Sequence, residues 1–136
     1  MSSSDRANMR QFFFDAWKKH QQKHILEPLE ANIVAIILAH PEYHDVLQQT
    51  DPLEQDHVDG ENPFLHMGLH LALHEQITTN RPAGIQAMYN HLWQKLGERH
   101  AAEHRMMDAL ASVLWNAQQT GVAPDETHYL ELLQKL

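Results

Sequence analysis

Cysteine is absent from the chain, which removes structural disulfides, thiolate zinc sites and iron–sulfur clusters together. Any metal chemistry must therefore use nitrogen and oxygen donors. Positive charge is scarce as well: 10 Lys and Arg stand against 18 Asp and Glu, a formal charge of −8. Nucleic acid and anionic membranes both select a positive surface, so neither is an expected partner. The cluster Lys18, Lys19, His20, Lys23, His24 is the local exception, and it reads as a solvated helix face. No apolar run reaches the roughly 18 residues of a membrane span. The start, MSSSDRANMR, lacks the basic-then-apolar order of a secretory leader, so a cytoplasmic location is expected. G-x-S-x-G, phosphate-loop and dinucleotide glycine patterns are missing too, and serine or phosphoryl chemistry is left without support.

What the chain has in excess is histidine: 12 residues, more than lysine and arginine combined. Random placement would give about one pair at i, i+4, the spacing that shares a helical face. The chain has five such pairs: His20/His24, His40/His44, His66/His70, His70/His74 and His100/His104. The densest stretch is NPFLHMGLHLALHEQ, Asn62 to Gln76, where three imidazoles recur between apolar side chains. Residues four apart on a helix differ by about 40°, so their side chains stack one turn above another. Asn62 suits the N-cap and Pro63 the first helical position.

The 136 residues fit one domain, 1–136, with a core sufficient to fold without staples. From Ser4 to about Gln22, Met9, Phe12, Phe13, Ala16 and Trp17 follow helical spacing, with Ser4 or Asp5 as cap. After Pro28, Leu29, Ile33, Ile36, Ile37 and His40 form one face of a second helix, and Val34 and Leu38 make it apolar nearly all round. Pro41 ends or kinks that helix at His40, and PEYHDVLQQ starts a turn or short helix. The acidic stretch 50–61 shows no apolar period and no calcium-loop spacing, and reads as a solvated loop. The histidine helix runs to about Asn80. A fourth helix carries Ile85, Met88, Leu92 and Trp93. A fifth, about Glu98 to Gln119, aligns His100, His104, Met107, Ala111 and Leu114 in one stripe, and Tyr129, Leu130 and Leu133 mark a short last helix. No segment alternates as a strand. The expected fold is all-α, a four-helix-bundle-like single domain with short additional helices.

Bundle proteins hold metals with inward His and carboxylate residues from several helices, since no single helix wraps an ion. The expected ligands here are His66, His70, His100 and His104, with Glu30, His40 and Asp108 as completing or supporting groups. The site is expected between the histidine helix and the fifth helix, holding a divalent ion, iron or zinc first. His44, His74 and Glu103 stand near it without an assigned role. His100-Ala101-Ala102-Glu103-His104 matches the H-x-x-E-H pattern of inverted zinc peptidases, but so short a motif arises readily in a histidine-rich chain. His57, His91 and His128 read as surface or neutral core residues, and His20 and His24 as exposed.

The strings RQFFFDAWKKH, LAHPEYH, NPFLHMGLHLALHEQ and RHAAEHRMMDALASVLWNAQ together resemble a small bacterial family described as a domain of unknown function, over nearly the whole chain. That resemblance implies one compact domain and carries no activity. The H-x-x-x-H pairs and His104-x-x-x-Asp108 also look like hemerythrin-type and DinB-type bundles, which hold metal between helices. Ligand order and spacing differ from those families, so this likeness implies fold alone. The functional expectation is a metal-binding helical protein, and the sequence does not decide whether it catalyses a reaction or which small molecule it meets. The alternative is a non-catalytic interaction module or homodimer whose histidines pack and hydrogen-bond.

Overall fold

The first helix, α1 (Ser3–Gln21), forms where aromatic and alanine positions recur every three to four residues, and it buries Phe13, Ala16 and Trp17. Phe12 stays 55% exposed, so the buried stripe is narrower than the spacing suggested. Lys23, with φ of 61°, turns the chain out of α1. In this computed structural model, residues 3–48 and 63–136 are described, with side chains from residue 10 onward. The acidic stretch 50–61, His57 and the expected Asn62 cap lie outside the described residues. All regular structure among the described residues is helical, so the fold is all-α.

The chain divides into two compact units, 1–71 and 72–136. In the first, α2 (Pro28–Leu38) packs along α1. Its start is closed by Glu30, whose carboxylate accepts the backbone N–H of Glu27 at 2.9 Å, and Pro28 occupies the first turn, where a missing N–H costs nothing. Glu30 also takes a hydrogen bond from Lys19 Nζ at 2.6 Å, pinning α2 to α1. That bond, helped by the Glu27 N–H, holds the Glu30 carboxyl below its ordinary pKa. Ile33, Val34 and Ile37 are the buried residues of α2, whereas Leu29 and Leu38 are about half exposed. An eleven-residue helix packed chiefly on one neighbour needs only one apolar stripe inside, so a helix apolar nearly all round leaves part of that surface outside.

After α2 a 3₁₀ turn, Pro41–Tyr43, leads into the single-turn α3 (His44–Leu47). The N-terminal part of α4 (Pro63–Thr79) belongs to the same unit. It is anchored by Met67, fully buried, and by Phe64, whose ring meets Phe13 edge-on at 6.2 Å and stacks on Phe14 at 5.8 Å. Such aromatic pairs add about 0.5–1.5 kcal/mol beyond their buried area. The buried guanidinium of Arg10 lies over the same Phe64 ring, 5.9 Å from its centre.

The second unit holds the rest of α4, α5 (Ile85–Leu96), α6 (Arg99–Thr120) and α7 (Glu126–Gln134). Asn80, at φ 55°, ends α4, and its side-chain oxygen caps α5 by accepting from Gly84 N at 3.2 Å and Gln86 N at 3.1 Å. Gly97 and Gly121, both at positive φ, close α5 and α6, a conformation other residues rarely adopt. Asp125 caps α7 by accepting His128 N at 3.2 Å. α6 packs on α5 and α7, and its buried residues are Ala102, Met106, Met107, Leu110 and Val113. Most of that stripe lies about a third of a turn around the helix from His100 and His104. The expected alignment of those histidines with Ala111 and Leu114 as core is therefore replaced by a stripe centred on Met106 and Leu110.

Candidate metal centre

His40 stands at the end of α2 because the residue before a proline is driven from helical geometry, and its φ and ψ are −127° and 71°. That bend turns the ring back along its own helix, where Nδ1 lies 2.7 Å from the carbonyl oxygen of Ile36. A carbonyl can only accept, so Nδ1 carries the proton and Nε2 presents a lone pair. Metal-bound histidines are oriented in this way, by donation of the second ring N–H to a carbonyl or carboxylate. His40 is 2% exposed. A buried imidazole with an open lone pair needs a partner, or it loses the hydration it had in the unfolded chain.

The partners come from α4. His66 and His70, one turn apart, have ring centres 4.9 Å from each other and 4.9 and 4.7 Å from that of His40. His70 is 3% exposed and His66 half-buried. His66 Nε2 and His40 Nε2 are 3.1 Å apart. Two nitrogens each about 2.0–2.1 Å from one ion lie about 2.9 Å apart at a right angle and about 3.3 Å apart at the tetrahedral angle, so this separation suits a shared ion. Without an ion, His66 Nε2–H donates to His40 Nε2, and the pair remains satisfied. One nitrogen from each of the three histidines falls within 4.8 Å of the others.

Tyr43 and His44 support this arrangement, and sequence spacing alone did not bring them into the site. The Tyr43 ring stacks on His40 at 5.4 Å with 10° between planes, and its edge meets His66 at 6.1 Å. The available signal was the H-P-E-Y-H string, since a proline-started 3₁₀ turn carries its third residue back over the helix end. His44 donates from Nε2 to the Ile37 carbonyl at 2.9 Å and packs against Trp17 at 4.8 Å. His20, expected exposed, is half-buried and stacks on Trp17 at 5.3 Å. Glu30 sits at the other end of α2 from His40, roughly 15 Å along the helix axis, engaged with Lys19 and the α2 start.

In the second unit, His100 and His104 have ring centres 4.2 Å apart, the closest contact among these histidine rings, and both are half-buried. Glu103, between them in sequence, accepts from the Tyr89 hydroxyl at 3.5 Å. Burial first, and then the Glu103 carboxylate, hold the Tyr89 hydroxyl above its ordinary pKa. Asp108, one turn beyond His104, is exposed, as are His74 and Glu75 on α4 and His24, His91 and His128 elsewhere.

No helix among the described residues is long and apolar enough to cross a membrane. No curated protein and no solved structure matches the chain. A family model described as Domain of unknown function (DUF1841) matches residues 5–135, and the chain belongs to that family.

Proposed function

We propose that the protein binds a divalent transition metal through His40, His66 and His70. The observation that carries this reading is the His40 ring: its Nδ1 is committed to the Ile36 carbonyl, and its Nε2 lies 3.1 Å from His66 Nε2 in a buried setting. Neutral imidazoles without thiolate suit zinc or ferrous iron, as well as copper and nickel. Glu30 stays with Lys19 and the start of α2, so it has no role at the ion in this reading. A bound ion with an open position supplies Lewis acidity or redox chemistry.

A second reading is favoured by the same contact: a His66-to-His40 hydrogen bond closes the network without an ion and leaves a packing cluster in an interaction module or homodimer. Metal content of untagged protein, expressed with zinc, iron, manganese and copper supplied, separates the two. The metal reading expects about one ion per chain. It expects His40→Ala or His70→Ala to lower affinity by at least the roughly 10–100-fold that losing a supporting partner costs, while His74→Ala and His128→Ala retain the ion. Sub-stoichiometric metal in the parent protein, or equal content in all four variants, overturns it.

A further inference from the structure

The second unit contains a cavity of about 360 Å³ that the metal proposal does not use. Ligand sites span about 300–1,000 Å³ and combine apolar walls with a few convergent polar groups, which places this one at the small-molecule end. Its floor comes from α6, where Leu110, Val113 and Leu114 line the cavity. Residues three and four apart share a helix face, so these three make one continuous apolar strip. Across from it the buried Tyr129 donates its hydroxyl to Gln76 Oε1 at 2.7 Å. That bond fixes the Gln76 amide and leaves its two N–H donors for a guest.

The rim carries both signs of charge. Arg81 follows α4, its backbone N–H held by the Gln76 carbonyl at 3.0 Å. Its guanidinium has no hydrogen bond or ion pair among the described residues. Asp125 and Glu126 border the cavity from the start of α7. Asp125 spends Oδ1 on the helix cap, which leaves Oδ2 as an acceptor. A purely anionic guest would be repelled by the two acids, and a purely cationic one would leave Arg81 and the Gln76 amide unused.

We propose that this cavity binds a small zwitterion with an apolar body, of the chemical class of the free aliphatic α-amino acids. The carboxylate is taken by Arg81 and the Gln76 amide, the ammonium by Asp125 and Glu126, and the hydrocarbon lies on the Leu110–Leu114 strip. Guanidinium–carboxylate pairing is charge-assisted and geometrically selective, which favours arginine in this role.

The test uses the full chain, isotope-labelled for backbone amide NMR, with three probes of one carbon skeleton: L-leucine, isocaproate without the ammonium, and isoamylamine without the carboxylate. Leucine is expected to give saturable shifts at residues 76–81, 110–114 and 124–129, with each analogue binding about tenfold or more weakly, the loss of one charge-assisted bond. Arg81→Gln should weaken leucine about tenfold and leave isoamylamine unchanged. Asp125→Asn keeps a good helix cap, so the fold survives, and it should weaken leucine while leaving isocaproate unchanged. Absence of saturable leucine shifts at those positions overturns the proposal. So does equal binding of the three probes, or leucine binding that neither substitution alters.

Discussion

The His66/His70 pair on α4 and the His100/His104 pair on α6 are the same sequence object, two imidazoles four residues apart, in different surroundings. On α4 the pair meets a third imidazole whose outer nitrogen is tied to a backbone carbonyl, and two of the three rings are nearly dry. On α6 both rings are half-buried, and the helix buries a different stripe within its unit. Spacing therefore makes a pair, whereas a site needs a further donor delivered by another segment and a partner that fixes its tautomer. In α4 that delivery depends on Phe64 and Met67 seating the helix on α1, and on Pro41 bending His40 back.

The most disruptive way to break the comparison is to unseat α4. Phe64→Ala should cost about 3–5 kcal/mol in denaturant unfolding and take metal retention with it. Met106→Ala, 1% exposed on α6, should cost a comparable 2–5 kcal/mol while leaving the metal affinity of the folded protein at its parent value. Equal loss of affinity in both variants would mean that general destabilisation, not the seating of His66 and His70, governs binding.

Next in size is removal of the ion. A ligand bound only to the native state at a hundredfold excess over Kd contributes about 2.7 kcal/mol, so chelator should lower the thermal midpoint by on the order of 10 °C. Protons compete with metal for imidazole, whose unperturbed pKa is about 6.5. Ligation depresses the apparent pKa, so the added stability is present above the unfolded value and is lost as pH falls. Release should therefore be steep between about pH 6 and 4.5. Superimposable acid titrations of metal-loaded and chelator-treated protein would reduce the α4 cluster to packing, and the two pairs would then be equivalent.

A smaller effect probes the second unit alone. Burial raises the Tyr129 hydroxyl well above its ordinary pKa, so its contribution is intact below about pH 10 and fades as pH rises, because the unfolded chain ionises first. Tyr129→Phe should cost about 1 kcal/mol at neutral pH and flatten the alkaline limb of the melt. An unchanged alkaline limb would show that burial of the Tyr129 hydroxyl does not set the alkaline stability of this unit. The smallest effect belongs to the part-buried α1–α2 clamp. Since Lys19 lowers the Glu30 carboxyl pKa, the pair contributes above the ordinary carboxylate pKa of about 4.3 and is lost as pH falls below it. Lys19→Met should leave a shallower acid dependence in chelator-treated protein, and an unaltered slope would assign the α2 start to its own capping contact.

The helical class, the break at Pro41 and the end of α4 near Asn80 were legible in the chain, because each is set by local covalent geometry or by spacing along one helix. The histidine excess was legible for the same reason. Leu29 and Phe12 belong to the apolar faces that the spacing marks and are about half exposed, because amphipathic spacing marks a face without fixing its width. His40 was read as a completing or supporting group, and its ring is held by a bond to the Ile36 carbonyl that no spacing rule reports. Tyr43 entered through a turn geometry, and the cavity beside Tyr129 through the meeting of α6 with the end of α4 and the start of α7. The sequence by itself determined which helices form, where they stop and which donor types are available, since those follow from dihedral preferences and side-chain chemistry within a few residues. Only the tertiary structure decided which imidazoles are dry and that His66 meets His40, since burial and this contact come from residues distant in the chain.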